Sequence, residues 1–229
     1  MTRDLVRIGK ALSAPARVAM INVLFDGTEH AAGELAAAAA VSAATASEHL
    51  LTLADAGIVT GRSDGRYRYY QLANADIAHA LEQLSDSYPA PAVTSLRLSR
   101  EQQRVRVART CYDHLAGQLG VALADRFVEL GWVDQAMFLV TSRGARQLRD
   151  RLDVQAVAAP GSRRPVLRPC ADWTERRPHL AGSVGVAIAT AFLHRRWVAR
   201  KPGSRGLLIT PQGRLGLAEL GIVTSIPAG

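Results

Sequence analysis

Apolar residues recur every three or four positions from Leu5 through Ile8 to Leu12, and again from Val18 through Ile21 to Leu24 and Phe25. That spacing predicts two helices. Ser13 can cap the second, Pro15 suits its first turn, and Asp26-Gly27 stops it. The next tract, "ELAAAAAVSAATASEHLLTLADAG" from Glu34 to Gly57, has alanine enough for one long helix, but its phase breaks. Leu35, Ala38 and Ala39 make a short face that ends before Val41. A new face begins at Ala46 and continues through Leu50, Leu53 and Ala54. Ser42 is a good N-cap ahead of it and Gly57 a good terminator. The tract reads as two helices joined by a tight turn near Ala40–Val41, which is the helix-turn-helix layout.

The period then changes from helical to alternating. "GIVTGRSDGRYRYYQLA" offers Ile58-Val59, a turn at Asp64-Gly65, and the alternation Arg66-Tyr67-Arg68-Tyr69-Tyr70. Two short strands with a basic tip, placed directly after a helix-turn-helix, make a winged helix. Taken alone the hairpin could be only an amphipathic edge; its position favours the wing. Arg62, Arg66 and Arg68 are placed to meet phosphates or a minor groove. Further on, Ile77, Leu81 and Leu84 give "IAHALEQL" an apolar stripe.

After the Pro/Ala-rich "SYPAPAVT" comes a basic stretch, "SLRLSREQQRVRVARTCYDHLAG", read as a helix, and then the chain echoes itself. His114–Val133 and His179–Val198 are identical at 11 of 20 positions at a fixed offset of 65. After a four-residue slip, "LVTSRGARQLRDRL" matches "LITPQGRLGLAEL". Each unit reads as a helix ending near a Trp-Val strand, a second strand, a Thr-initiated turn and a short helix. A repeat of this kind needs a partner to bury its apolar side. The expected fold class is therefore mainly α with small β-hairpins (α+β). A winged helix-turn-helix occupies 1–88, a linker 89–98, and a sensor domain of two degenerate winged-helix-like repeats, about 111–155 and 176–222, occupies 99–229.

Composition narrows the function. With 229 residues, 48% hydrophobic and 21% charged, the chain has an ordinary globular mixture. No secretory signal opens "MTRDLVRIGKALSAPARV", and "HLAGSVGVAIATAFL" is too short to span a bilayer, so a cytoplasmic protein without a membrane partner is expected. The net charge of +8 is unevenly spread: 7 Lys/Arg against 10 Asp/Glu up to Ala90, then 21 against 10. The basic half is thus the C-terminal one, and its partner is DNA, an anionic ligand or only solvent. No phosphate loop, HExxH or dinucleotide-type glycine motif points to an enzyme.

"GKALSAPARVAMINVL", "GELAAAAAVSAATASEHLLTLADAGIV" and "GRYRYYQL" together resemble the ArsR-type winged-helix repressors of bacteria, over roughly Leu5 to Ser87. The resemblance implies a homodimer, built by the N-terminal helix and Asn74–Ser85, on a palindromic double-stranded DNA operator. It also implies that Ser42–Ala56 enters the major groove, with Ser42, Ala43, Ala44, Thr45, Ser47 and Glu48 at the DNA. Family members often carry glutamine where Ala43 stands and a histidine or basic residue where Glu48 stands. Here the alanines can touch only a thymine methyl and Glu48 can accept only from cytosine N4. Direct readout is thin, which leaves much of the affinity to phosphate contacts and wing arginines.

Both common metal sites of that family are absent. Ala31 and Gly33 stand where a Cys-x-Cys pair would, and Asp76 and His79 have the wrong spacing for the dimer-helix site. In the C-terminal half, Cys111 and His114 are expected at i,i+3 on one helix face, while Cys170 and His179 precede and open the equivalent second helix. Two thiolates and two imidazoles could hold tetrahedral zinc. The spacing between the pairs is loose, however, and buried free cysteines, helix-capping histidines or a redox thiol account for them as well. No metal cofactor is assigned on this basis. Trp173 and Arg177, with Cys111 and His179, could instead line a pocket for a small-molecule effector. The expectation is a one-component repressor with a sensing C-terminal half. The alternative is an architectural winged-helix protein without an effector.

Overall fold

The computed structural model describes residues 2–86, 96–157, 164–201 and 204–222. Their contacts cluster into two units, Met1–Ser85 and Asp86–Gly229. The first unit runs α1 (Thr2–Leu12), α2 (Pro15–Leu24), β1 (His30–Ala31), α3 (Ala32–Ala38), α4 (Ala43–Asp55), β2 (Val59–Asp64), β3 (Tyr67–Leu72) and α5 (Ala75–Asp86). Met20, Leu24, Leu35, Leu50, Leu53 and Leu72 are fully buried and form its core.

The alanine tract breaks where its phase predicted. Ala40 adopts φ +53°, the left-handed conformation that ends a helix, and Val41 N–H donates to the Ala36 carbonyl at 3.1 Å. Ser42 then caps α4, its Oγ accepting from Thr45 N–H at 3.1 Å. Three local expectations are corrected. Ala36 rather than Ala38 faces the core beside Leu35, so Ala38 is exposed. Ser13 does not cap α2: its hydroxyl donates to the Lys10 carbonyl at the end of α1, and Ala14 holds the N-cap position. The wing register pairs Asp64 with Tyr67, so the two-residue turn is Gly65-Arg66. Gly65, at φ +57°, takes the conformation that turn needs. The three strands order β1-β3-β2.

The second unit runs α6 (Leu96–Val107), β4 (Arg109–Cys111), β5 (His114–Ala116), α7 (Gly117–Glu129), β6 (Val133–Asp134), β7 (Leu139–Val140) and α8 (Ser142–Leu152). It continues with β8 (Arg168–Ala171), β9 (Pro178–Ala181), α9 (Gly182–His194), β10 (Val198–Lys201), β11 (Ser204–Ile209) and α10 (Pro211–Glu219). The linker expected over 89–98 lies outside the described residues up to 95, and α6 is already under way at Leu96. The whole is mainly α with small antiparallel hairpins, as the pattern predicted. No helix among the described residues is long and apolar enough to cross a membrane.

One correction matters for function. The stretch expected as one helix from Ser95 to Gly117 stops at Val107, and Cys111 and His114 face each other across a β-hairpin. Tyr112 turns the chain at φ +61°, and β4 gains an outer partner through Gly206 opposite Arg109. Sheet hydrogen bonds between Arg109–Cys111 and His114–Ala116 replace the helical ones. Cys170 and His179 likewise face each other across β8–β9.

The two repeats share one core, in which Leu119, Leu123 and Phe127 meet Val184, Ile188 and Phe192. Trp132 packs on Phe127 at 4.7 Å between ring centroids, and Trp197 on Phe192 at 4.8 Å. Thr141 and Thr210 cap α8 and α10 in the same way, each Oγ1 accepting a glycine N–H at 2.9 Å. Glycines 117 and 120 in one repeat match 182 and 185 in the other, and Gly117 and Gly182 open α7 and α9 at φ +75° and +86°. The other two allow close approach. A Cβ on Gly120 would lie 2.5 Å from the Leu115 carbonyl oxygen and 3.4 Å from His179 Cβ, and Gly185 meets Leu180 and His114 in the mirrored arrangement.

Candidate functional site

On α4 the residues expected at DNA form one outward face. Ser42, Ala43, Ala44, Ser47 and Glu48 are exposed and Thr45 is half-buried, while Ala46, Leu50 and Leu53 turn to the core. The Ser47 hydroxyl donates to the Ala43 carbonyl at 3.0 Å, so toward a base edge it has acceptor capacity left. Arg17 braces this helix from behind. It donates to the Lys10 and Ala11 carbonyls at the end of α1 and lies 3.1 Å from His49 Nδ1.

The wing arginines differ. Arg66 and Arg68 are exposed at the tip, their guanidiniums over Tyr67 and Tyr70 at 5.7 and 5.5 Å. Arg62, also exposed, is forked onto Glu29 at 2.8–3.0 Å and reaches Asp64 at 3.2 Å. On α1 and α5 apolar side chains are left uncovered: Leu5 is 66%, Val6 56% and Leu84 49% exposed. His79 bonds Gln83 one turn along α5, and His30 lies between Asp26 and Glu34.

In the second unit four residues converge that lie far apart in sequence. Cys111, His114, Cys170 and His179 are all buried, with one ligand atom of each within 4.8 Å of all the others. The two sulfurs are 3.8 Å apart and the two Nε2 atoms 3.1 Å apart. Behind each imidazole stands a carboxylate. Asp113 Oδ1 is 3.1 Å from His114 Nδ1, and Asp172 Oδ2 is 3.3 Å from His179 Nδ1. Each carboxylate is held by an arginine: Arg164 at 2.6 Å from Asp113, and fully buried Arg109 at 3.0 Å from Asp172. Asp172 also accepts from the Gly117 N–H that opens α7, at 2.7 Å, and from Thr174.

These contacts set the charges. Burial opposes ionisation of both aspartates. It is outweighed at Asp172 by His179, Arg109 and the Gly117 N–H, and at Asp113 by His114 and Arg164, so both carboxyls sit below the usual range. Burial likewise disfavours a charged His114, but Asp113 and the Cys111 sulfur more than reverse this, raising it to about 9.

Trp173 and Arg177 do not join the quartet. Trp173 stacks on Arg109 at 4.9 Å and Arg205 at 5.6 Å, and Arg177 reaches Asp125 on α7. Asp113, Asp172 and Arg109 were missed in the sequence reading, although a signal existed. "RTCYDHLAG" and "RPCADWTERRPHLAG" share Arg-x-Cys-x-Asp before His-Leu-Ala-Gly, interrupted in the second by Trp173–Pro178. A fixed-offset comparison stops at that insertion and so starts the repeat too late.

A recognition helix capped by Ser42, a basic-tipped wing behind it, and a second unit with a buried polar centre define a DNA-binding regulator with an added domain. Residues 14–60 match the profile of the bacterial regulatory proteins of the arsR family. The chain is 39% identical over 217 residues to the uncharacterized HTH-type transcriptional regulator YdfF of Bacillus subtilis, covering 94% of this chain and 96% of that one. It is 36% identical over 80 residues to the regulator CmtR of Mycobacterium tuberculosis, covering 35% of this chain and 67% of CmtR. A homodimeric winged helix-turn-helix domain, Mb0332 from Mycobacterium bovis, aligns at 32% identity and a TM-score of 0.34 over 38% of this chain and 81% of its own. The chain belongs to the ArsR family of winged-helix transcriptional regulators. The likeness to YdfF extends through the second unit; that to CmtR covers about a third of the chain.

Proposed function

We propose that the protein is a dimeric repressor on a palindromic operator, with residues 1–88 reading DNA and residues 99–229 carrying the regulatory input. The exposed face of α4 carries this reading, since an N-capped helix with Ser47 and Glu48 outward has the shape and chemistry to enter a major groove. The uncovered Leu5, Val6 and Leu84 supply the apolar surface for a two-fold contact between α1 and α5 of two copies. Half-sites would then lie about one helical turn apart, ~34 Å. The purified protein should protect a palindrome in its own upstream DNA and scatter light as a dimer. A monomer that binds DNA with equal affinity and specificity would refute the two-fold reading.

The basic excess of the second half favours, on its face, a clamp on flanking phosphates. Five of its arginines are engaged within the unit, however: Arg109, Arg126, Arg149, Arg164 and Arg177 each pair with a carboxylate. That takes those five out of a clamp and supports the regulatory role. A chain ending at Tyr88 should keep near-full operator affinity and lose its response to an inducing signal. A large fall in both affinity and salt dependence on that truncation would establish the clamp instead.

A further inference from the structure

We propose that Cys111, His114, Cys170 and His179 bind one zinc-class divalent ion tetrahedrally, joining the two repeats of the second unit. The distances carry the argument. Around a tetrahedral zinc, with bonds of about 2.3 Å to sulfur and 2.0–2.1 Å to nitrogen, the two sulfurs stand ~3.8 Å apart and the two nitrogens ~3.3 Å. The chain places its sulfurs 3.8 Å apart and its Nε2 atoms 3.1 Å apart. All four ligand atoms lie within 4.8 Å of one another.

The surroundings match as well. A histidine ligating through Nε2 needs its Nδ1–H held by an acceptor, which fixes ring and tautomer. Asp113 and Asp172 stand at those two Nδ1 atoms, and Arg164 and Arg109 hold the carboxylates in turn. The two Nε2 atoms face each other at 3.1 Å in a place without solvent, where one ion would bond to both.

The pocket lined by Leu115, Gly120, Leu123, Leu180, Gly185 and Ile188 holds about 10 Å³, room for one water at most. Gly120 and Gly185 bring each helix against the other repeat's histidine, so the ligands arrive in pairs, one hairpin from each repeat. Four protein ligands close the coordination sphere, the pattern of an ion that organises structure rather than one that binds substrate. Two thiols and two imidazoles are the set that suits zinc among common divalent ions.

This inference stands apart from operator binding, and its test uses no DNA. The full chain, stripped with a chelator under reducing conditions, is titrated with Co²⁺ and followed in the visible and near ultraviolet. The expected result is four-coordinate d–d bands with thiolate charge transfer, saturating at one ion per chain and bleached by one equivalent of Zn²⁺. Cys170→Ser should reduce the charge-transfer band and weaken binding at least tenfold, and His179→Gln should shift the d–d bands. A wild-type chain showing only six-coordinate cobalt, or no saturation, overturns the proposal whatever the variants do. So does a four-coordinate spectrum that neither substitution changes.

Discussion

The two units place their polar chemistry in opposite ways. In the first, Ser47, Glu48, Arg66 and Arg68 are outward, and the described interior is aliphatic apart from Phe25, Tyr70 and Glu82. In the second, Arg109, Asp172, His114 and His179 are inside, within a network that also opens a helix. A surface that binds DNA can be altered at little cost to folding. A buried network cannot, because each group left without its partner keeps its full desolvation penalty.

The sharpest way to break this contrast is Asp172→Ala. It leaves buried Arg109 unpaired and the Gly117 N–H without an acceptor, and should cost about 3–5 kcal/mol. All three tryptophans, 132, 173 and 197, lie in the second unit, so urea unfolding followed by tryptophan emission reads that unit alone. A loss below about 1 kcal/mol would mean that Arg109 finds another acceptor.

Next come paired substitutions at equivalent glycines, which test whether the repeats are physically alike. A Cβ on Gly144 or Gly213 would press on the backbone carbonyl of Trp132 or Trp197. Gly144→Ala and Gly213→Ala should each destabilise by roughly 1–3 kcal/mol and by similar amounts, on the same tryptophan signal. Unequal effects would show that one repeat carries the fold. A smaller change belongs to the first unit: Ser42→Ala removes the α4 cap and should cost about 1 kcal/mol. Circular dichroism should then show a loss of stability with the tryptophan transition unmoved.

The smallest stability effects, but clear binding effects, are expected at the wing. Replacing Arg66 and Arg68 together by alanine should weaken all duplexes alike and reduce the slope of log affinity against log salt by about 2. Arg62→Ala should leave that slope unchanged, because its charge is already engaged by Glu29 and Asp64. Equal slopes for the two mutants would erase the distinction drawn between these arginines. Glu48→Gln should reorder preference among operator variants with little change in mean affinity.

Legibility in the sequence followed the range of the interactions. The break at Ala40–Val41, the Ser42 cap and the Thr141 and Thr210 caps all depend on contacts within a few residues, and each leaves a local trace in residue type or phase. The fate of Cys111 and His114 does not. "VRVARTCYDHLAG" is acceptable as helix, and it becomes a hairpin because β4 pairs with β11, nearly a hundred residues later in the chain. Ser13 is a reminder at small scale: a residue of capping type was taken up by the preceding helix instead.

From the sequence alone came the winged helix, the residues facing outward on its recognition helix, and the existence of an internal repeat. Periodicity, capping and self-similarity are written along one dimension. Tertiary structure alone decided that Cys111 and His114 meet Cys170 and His179, and that Arg164 and Arg109 hold the carboxylates behind the two rings. Those are distances between segments up to 65 positions apart. They are set by how two half-cores pack, and no local pattern of residues encodes them.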